Sequence, residues 1–120
     1  SFESIFIFDQ SGMLSGCSKG FENTMEFTRE TSEKQAISQF FHNLDLEVAI
    51  EHLSQSGGGA PFYEQKVSWN LDRGKNKSAH CSICQVKSKE HEMYIGIIKE
   101  VQTRGRVKSL FSKVFKSSLP

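Results

Sequence analysis

Three cysteines and four histidines are the residues of this sequence with the widest chemical range. Cys81 and Cys84 have the C-x-x-C spacing of half a zinc site or of a dithiol redox centre. A zinc site needs four converging ligands, and the sequence has neither a second C-x-x-C nor an H-x-x-x-H. The surrounding residues SAHCSICQVK (78–87) are typical of a strand, on which side chains three positions apart face opposite ways. We therefore predict two small residues on opposite faces of a strand, and no metal site.

Enzymatic chemistry is not indicated elsewhere in the sequence. There is no Ser-His-Asp arrangement, and the glycines at 57–59 lack the G-x-x-x-x-G-K pattern of a phosphate-binding loop. The net charge of +1 over 120 residues gives no reason to expect nucleic-acid binding. An odd number of cysteines suits a reducing, cytoplasmic setting. We expect a non-enzymatic cytoplasmic domain and, because it begins at Ser1, a piece of a longer protein.

The elements that would position these residues begin with a hairpin and short helices. Residues 2–8 are rich in strand formers and 9–12 (DQSG) are typical of a turn, so 13–17 are predicted to return as a second strand. Ser18 is a candidate N-cap for a first helix. A short helical turn follows at 36–41.

A longer helix is predicted to open at Asn43 or Asp45 and to end before the glycines at 57–59. Its apolar positions follow the helical period: Leu46, Ala49, Ile50 and Leu53.

The sequence changes to the period of strands after residue 61. Residues 62–71, 78–86 and 93–101 predict three antiparallel strands, with turns at 72–77 and 88–92. In the first of them Tyr63, Gln65, Val67, Trp69 and Leu71 form the face predicted to be buried. The fold class is α+β with one five-stranded sheet, in which the first and last strands are expected to pair at the centre.

This order of elements resembles that of PAS domains. DQSG (9–12) resembles the family's Asp-x-x-Gly turn, and SKGFENTMEF (18–27) its Asn-x-Ala-Phe-Glu helix. FFHNLDLEVAIEHL (40–53) resembles the entry to its long helix, LDRGKNK (71–77) its Lys-Asp-Gly turn, and IGIIKEVQT (95–103) its closing strand. The resemblance covers about residues 2–103. It implies a PAS-like sensory domain at 1–103, with short helices on one face of the sheet, and a linker segment at 104–120.

The sequence departs from the family pattern at several positions. Ser18 stands where Asn is usual, Glu26 where Gly is usual, and Asn43 where Pro is usual. Glu100 replaces Asp and Gln102 replaces Thr in the closing strand.

The resemblance also raises the question of cofactors. Flavin-binding light sensors of this superfamily use a cysteine in an Asn-Cys-Arg-Phe-Leu-Gln motif, which this sequence lacks. Haem-binding members use a histidine on the long helix, near which His42 and His52 lie. His52 lies next to the apolar positions of the predicted long helix, which is more typical of a solvated boundary residue than of an axial ligand. We therefore expect no cofactor, neither flavin nor haem.

The space between sheet and helices is the candidate ligand pocket. Its expected lining is Phe21, Met25, Phe40, Ile50, Leu53, Trp69, Cys81, Ile83 and Ile95. Either these side chains fill the space, which we favour, or they leave a pocket for a small molecule.

The C-terminal residues TRGRVKSLFSKVFKSSLP (103–120) predict a basic amphipathic helix. Its apolar stripe consists of Val107, Leu110, Phe111, Val114 and Phe115. The stripe could pair with its twin in a homodimer and pass a signal to an attached output domain, which we favour from the family. Alternatively, it could pack on its own sheet or lie on an anionic membrane surface.

Two functions follow from the resemblance. The first is a sensory input module that senses a small ligand or partner and regulates an attached kinase or nucleotide cyclase. The alternative is a ligand-free module for dimerisation or protein interaction.

Overall fold

The computed structural model describes residues 3–30, 34–55, 62–71, 74–87 and 90–104. The glycine break at 57–59 and the apolar stripe of the C-terminal segment lie outside these residues. The described elements are β1 (Ser4–Asp9), β2 (Leu14–Cys17), α1 (Lys19–Met25), a 3-10 turn (Ile37–Gln39), α2 (Leu46–Gln55), β3 (Tyr63–Leu71), β4 (Lys75–Lys87) and β5 (Glu92–Arg104). No helix in the described part of the chain is long and apolar enough to span a membrane.

The five strands form one antiparallel sheet in the order β2-β1-β5-β4-β3. The predicted five-stranded sheet is confirmed, and so is the pairing of the first and last strands, because β1 lies beside β5 along its length. β5 is the middle strand of the five. The core lies between one face of the sheet and the helices, where strand side chains pack against those of α1, the 3-10 turn and α2.

The turn between β1 and β2 is held by the side chain of Asp9. Its carboxylate accepts hydrogen bonds from the N–H groups of Ser11 (2.9 Å) and Met13 (3.1 Å) and from the Ser11 hydroxyl. Gly12 follows with a φ of 82°, a left-handed conformation that glycine adopts without strain. Burial acts to raise the pKa of Asp9, but the hydrogen bonds from Ser11, Met13 and Gly12 outweigh it and hold that pKa below its usual value.

Ser18 caps α1, as predicted, and of the two predicted starts of α2, Asn43 and Asp45, it is Asp45 that caps the helix. The Ser18 hydroxyl accepts a hydrogen bond from the N–H of Phe21 (3.2 Å) at the start of α1. It also accepts one from the N–H of Ile5 (2.9 Å), which ties the helix to β1. The Asp45 carboxylate accepts from the N–H of Val48 (3.2 Å) at the start of α2.

The turn predicted at 72–77 is wrong in its extent. β4 already begins at Lys75, which pairs with Leu71, so Lys75, Asn76 and Lys77 belong to the strand. Lysine and asparagine are typical of turns, but here they lie at an exposed or half-buried end of the hairpin, where a strand can carry polar side chains. The predicted strand at 93–101 is also longer in the structure and reaches Arg104.

Candidate functional site

Most of the predicted pocket residues lie together between the sheet and the helices. Phe21, Met25, Leu53, Trp69, Cys81 and Ile83 are buried in the core, and Phe40 and Ile50 are half-buried against it. The structure therefore brings together all of the predicted lining except one residue.

Ile95 is the exception, because it lies on the other face of the sheet. It pairs with Ile7 of β1 and Cys84 of β4, whereas its neighbours Tyr94 and Gly96 are the buried residues. Side chains alternate along a strand, so Ile95 cannot face the helices. The expectation that it lines the interior is corrected.

The interior is filled around the ring of Phe6. The ring centroid of Phe6 lies 5.2 Å from that of Phe21 and 5.8 Å from that of Phe41, and the ring of Phe41 meets Trp69 edge-on at 5.8 Å. Phe6 also covers the backbone of Gly96, where an added Cβ would lie 2.1 Å from Cζ of the ring. Such contacts between rings support the interpretation in which side chains fill the space.

The two candidate histidines do not fit a haem ligand in the interior. His42 and His52 are both exposed, and His52 packs its ring against Tyr63 at 5.6 Å, so neither is placed to ligate a haem in the interior. Within the described residues, no group of three or more His, Cys, Asp or Glu side chains is arranged to hold a metal ion.

Cys81 and Cys84 lie on opposite faces of the sheet, as predicted. Cys81 is 1% exposed on the core face, and burial raises the pKa of its thiol to about 12. Cys84 lies on the opposite face beside Ile95. Cys17 on β2 is half-buried, and its pKa is raised by burial and by Glu22, despite the opposing effect of Arg29. These environments disfavour the reactive thiolate of Cys17 and Cys81.

The outer face of the sheet is apolar at its centre. Ile5 and Ile7 of β1 pair with Ile97 and Ile95 of β5, and all four side chains are half-buried on the face away from the helices. We call these four isoleucines the outer patch. Sequence analysis did not separate this surface from the core, because residues 93–98 are apolar at most positions of both faces.

A cavity of about 510 Å³ lies where the segment before α2 meets β3 and β4. We call it the hairpin cavity. Its described lining is His42, Asn43, Lys66, Val67, Ser68, Trp69, Asn70, Asn76, Lys77 and Ser78. Of these, only Trp69 was expected at a site. Asn76 and Lys77 were not expected there because the sequence assigned them to a turn.

Comparison with known proteins identifies the fold to which this architecture corresponds. No protein-family model matches the sequence, and no curated protein matches it. Among solved structures, a PAS domain from a two-component sensor histidine kinase superposes with a TM-score of 0.64 at 12% identity, over 85% of each chain. The PAS domain of nitrogen regulation protein NR(II) from Vibrio parahaemolyticus superposes with a TM-score of 0.65 at 16% identity, over 82% of this chain and 88% of that one.

The fold is that of PAS domains. A LOV domain from the blue-light activated histidine kinase of Erythrobacter litoralis is also similar, with a TM-score of 0.57, 16% identity and coverage of 87% and 97%. At such identities the likeness shows the PAS fold alone. The PAS resemblance that the sequence motifs predicted is thereby confirmed at the level of the fold.

Proposed function

We propose that this chain is a sensory input module that senses a small ligand or partner and regulates an attached output domain of kinase or nucleotide-cyclase type. The observation that carries the proposal is the PAS fold, which it shares with domains from a sensor histidine kinase and from nitrogen regulation protein NR(II). The three free cysteines fit a cytoplasmic location. The module itself acts by binding and carries no catalytic step.

The position of β5 offers a route for the signal. Its Tyr94, Gly96 and Ile98 face the interior, while Ile95 and Ile97 belong to the outer patch. The same strand continues to Arg104, where the C-terminal segment begins. A change in interior packing would therefore act on the strand that leads to the output domain. A ligand can drive such a change only by binding two states of the sheet with different affinity.

A chimera tests this function. A histidine kinase whose own PAS input domain is replaced by this chain should show autophosphorylation that differs from that of the kinase without an input domain. In this chimera, Leu110→Asp combined with Phe111→Asp should then change the level of autophosphorylation, because the apolar stripe of the C-terminal segment would transmit the signal. Lys19→Gln, an exposed substitution on α1, serves as the control. Equal autophosphorylation in all of these proteins would contradict the proposal.

The second candidate is a ligand-free module for dimerisation or protein interaction. The observation that favours it is the interior filled by aromatic rings around Phe6. Native mass spectrometry of the purified chain separates the two functions, since it reports bound small molecules and oligomeric state together. A retained small molecule would favour the sensor, and a ligand-free dimer would favour the interaction module.

A further inference from the structure

A β-bulge interrupts the pairing of β4 and β5. The register shifts by one residue between Ser78 and His80 of β4, where β5 has two residues, 100 and 101, opposite one residue of β4. Because of the extra residue, Lys99 and Gln102 face the same side of the sheet, whereas residues three apart in an unbroken strand face opposite sides. The bulge therefore sets the orientation of the last residues of β5.

Glu100 adopts a strained backbone conformation in this bulge. Its φ is 56°, in the left-handed region that is unfavourable for a residue with a Cβ. The Glu100 carboxylate lies 3.4 Å from Nε2 of His80, but the two side chains are 72% and 64% exposed. Ion pairs as exposed as this one contribute little to stability. The contact with His80 thus offsets little of the backbone cost.

The side chains beyond Ile98 do little to fix the register of β5. Residues 99–103 are all exposed, whereas Tyr94, Gly96 and Ile98 before them are buried. β1 pairs with β5 only as far as Ile98, so among the described residues β4 is the only strand that pairs with 99–104. A register is strongly specified where one face of a strand is buried, and weakly specified elsewhere. The end of β5 can therefore shift along β4 without displacing a buried side chain of β5.

A side-chain contact that supports the observed register has a replacement in the other one. Lys77 donates a hydrogen bond to the hydroxyl of its strand partner Thr103. In a pairing without the bulge, Gln102 would stand opposite Lys77 in place of Thr103. The amide oxygen of glutamine accepts hydrogen bonds as a hydroxyl does, so Lys77 would keep an acceptor.

We propose that residues 101–104 exchange between two registers on β4: the bulged register of this structure and a continuous register in which Lys77 pairs with Gln102. The exchange shifts this end of β5 by one residue and turns its side chains to the opposite face of the sheet. It thereby reorients the strand end to which the C-terminal segment is attached. The exchange is a property of the chain itself, and only its use as a signal rests on the proposed function.

Disulfide trapping detects the continuous register. In Lys77→Cys with Gln102→Cys, the two cysteines face opposite sides of the sheet in the bulged register and become strand partners only in the continuous one, where a disulfide can join them. We expect oxidised glutathione to form this disulfide, identified by peptide mass spectrometry. Lys77→Cys with Thr103→Cys, partners in the bulged register, should also form one, which verifies that the altered strands still pair. A disulfide in the second variant but not in the first would overturn the proposal.

The matched control keeps the cysteine at position 77. Asn70 lies on β3 one residue out of register with Lys77, in a strand pair whose register is continuous from Tyr63 to Leu71. Lys77→Cys with Asn70→Cys should therefore cross-link about tenfold more slowly than Lys77→Cys with Gln102→Cys. Equal rates in the two variants would indicate fraying of the hairpin in place of a second register, and would overturn the proposal.

Substitutions of Glu100 test whether its backbone conformation drives the exchange. Glu100→Gly and Glu100→Ala both remove the contact with His80, but only glycine adopts the left-handed conformation without strain. In the Lys77→Cys, Gln102→Cys background, Glu100→Gly should slow disulfide formation about fivefold relative to Glu100→Ala, because it stabilises the bulged register. Equal rates with glycine and alanine would overturn the role of Glu100.

Discussion

At the residue scale, the Asp9 carboxylate organises the first turn through its bonds to Ser11 and Met13. We expect Asp9→Ala to lower the free energy of unfolding at pH 7 by about 1–2 kcal/mol, because backbone donors lose a charged acceptor. Since the folded pKa of Asp9 lies below its unfolded value of 3.8, its stabilisation is present above that value and is lost as the pH falls through the folded pKa. Urea unfolding should therefore show a difference between variant and wild type at pH 7 that shrinks in acid. A constant difference would contradict this account.

Gly96 provides the second test at this scale. A Cβ at this position would lie 2.1 Å from the Phe6 ring, so Gly96→Ala must displace a buried aromatic side chain. We expect a loss of about 1–3 kcal/mol in urea unfolding. Gly16→Ala is the matched control in a strand, because its nearest neighbour would be Ile7 Cδ1 at 3.9 Å, an ordinary contact. Similar losses in the two variants would indicate a general effect of glycine replacement in strands.

At the element scale, the edge of β3 that pairs with no other strand is covered by the segment before α2. Asn43 bonds through its side chain to Lys66 and Ser68, and the N–H of His42 donates to the carbonyl of Ser68 (2.9 Å). An uncovered edge strand offers its backbone groups to other chains. Asn43 thus does at this edge what a neighbouring strand would do.

Asn43→Ala should uncover this edge. We expect a loss of about 1–3 kcal/mol, since two backbone groups lose their partners, together with concentration-dependent association. Urea unfolding and sedimentation velocity measure the two effects. Asn70→Ala, an exposed amide on the same strand, is the control. Association in the control as well would mean that the edge is not specifically protected by Asn43.

The elements also show which features of the fold could be predicted from the sequence. Helix caps and strand periods act locally, so Ser18, Asp45 and the buried face of β3 could be predicted from their neighbours alone. The face of the sheet on which Ile95 lies could not be predicted, because the residues around it are apolar on both faces. The described lining of the hairpin cavity comes from residues 42–43, 66–70 and 76–78, which meet only in the folded chain. The interior set, by contrast, was accessible through the resemblance to PAS domains.

At the scale of the whole molecule, the outer patch is a half-buried apolar surface, and the sequence of the C-terminal segment predicts an apolar stripe. The outer patch lies on β1 and β5, and β5 leads into the segment that carries Val107, Leu110, Phe111, Val114 and Phe115. Apolar patches of more than a few hundred Å² usually mark contacts. We propose that they meet in a symmetric homodimer.

The oligomeric state tests this arrangement. In analytical ultracentrifugation we expect the intact chain to be a dimer, and truncation after Thr103 to make it monomeric, because the apolar stripe is removed. Leu110→Asp with Phe111→Asp should do the same, and circular dichroism should show that the sheet stays folded in both variants. Lys113→Gln is the control, since it changes the basic surface and leaves the stripe intact. A monomer at high micromolar concentration would contradict the dimer. In that case, salt-sensitive binding to anionic vesicles would instead support a membrane-facing segment, because salt screens the attraction between lysine side chains and lipid.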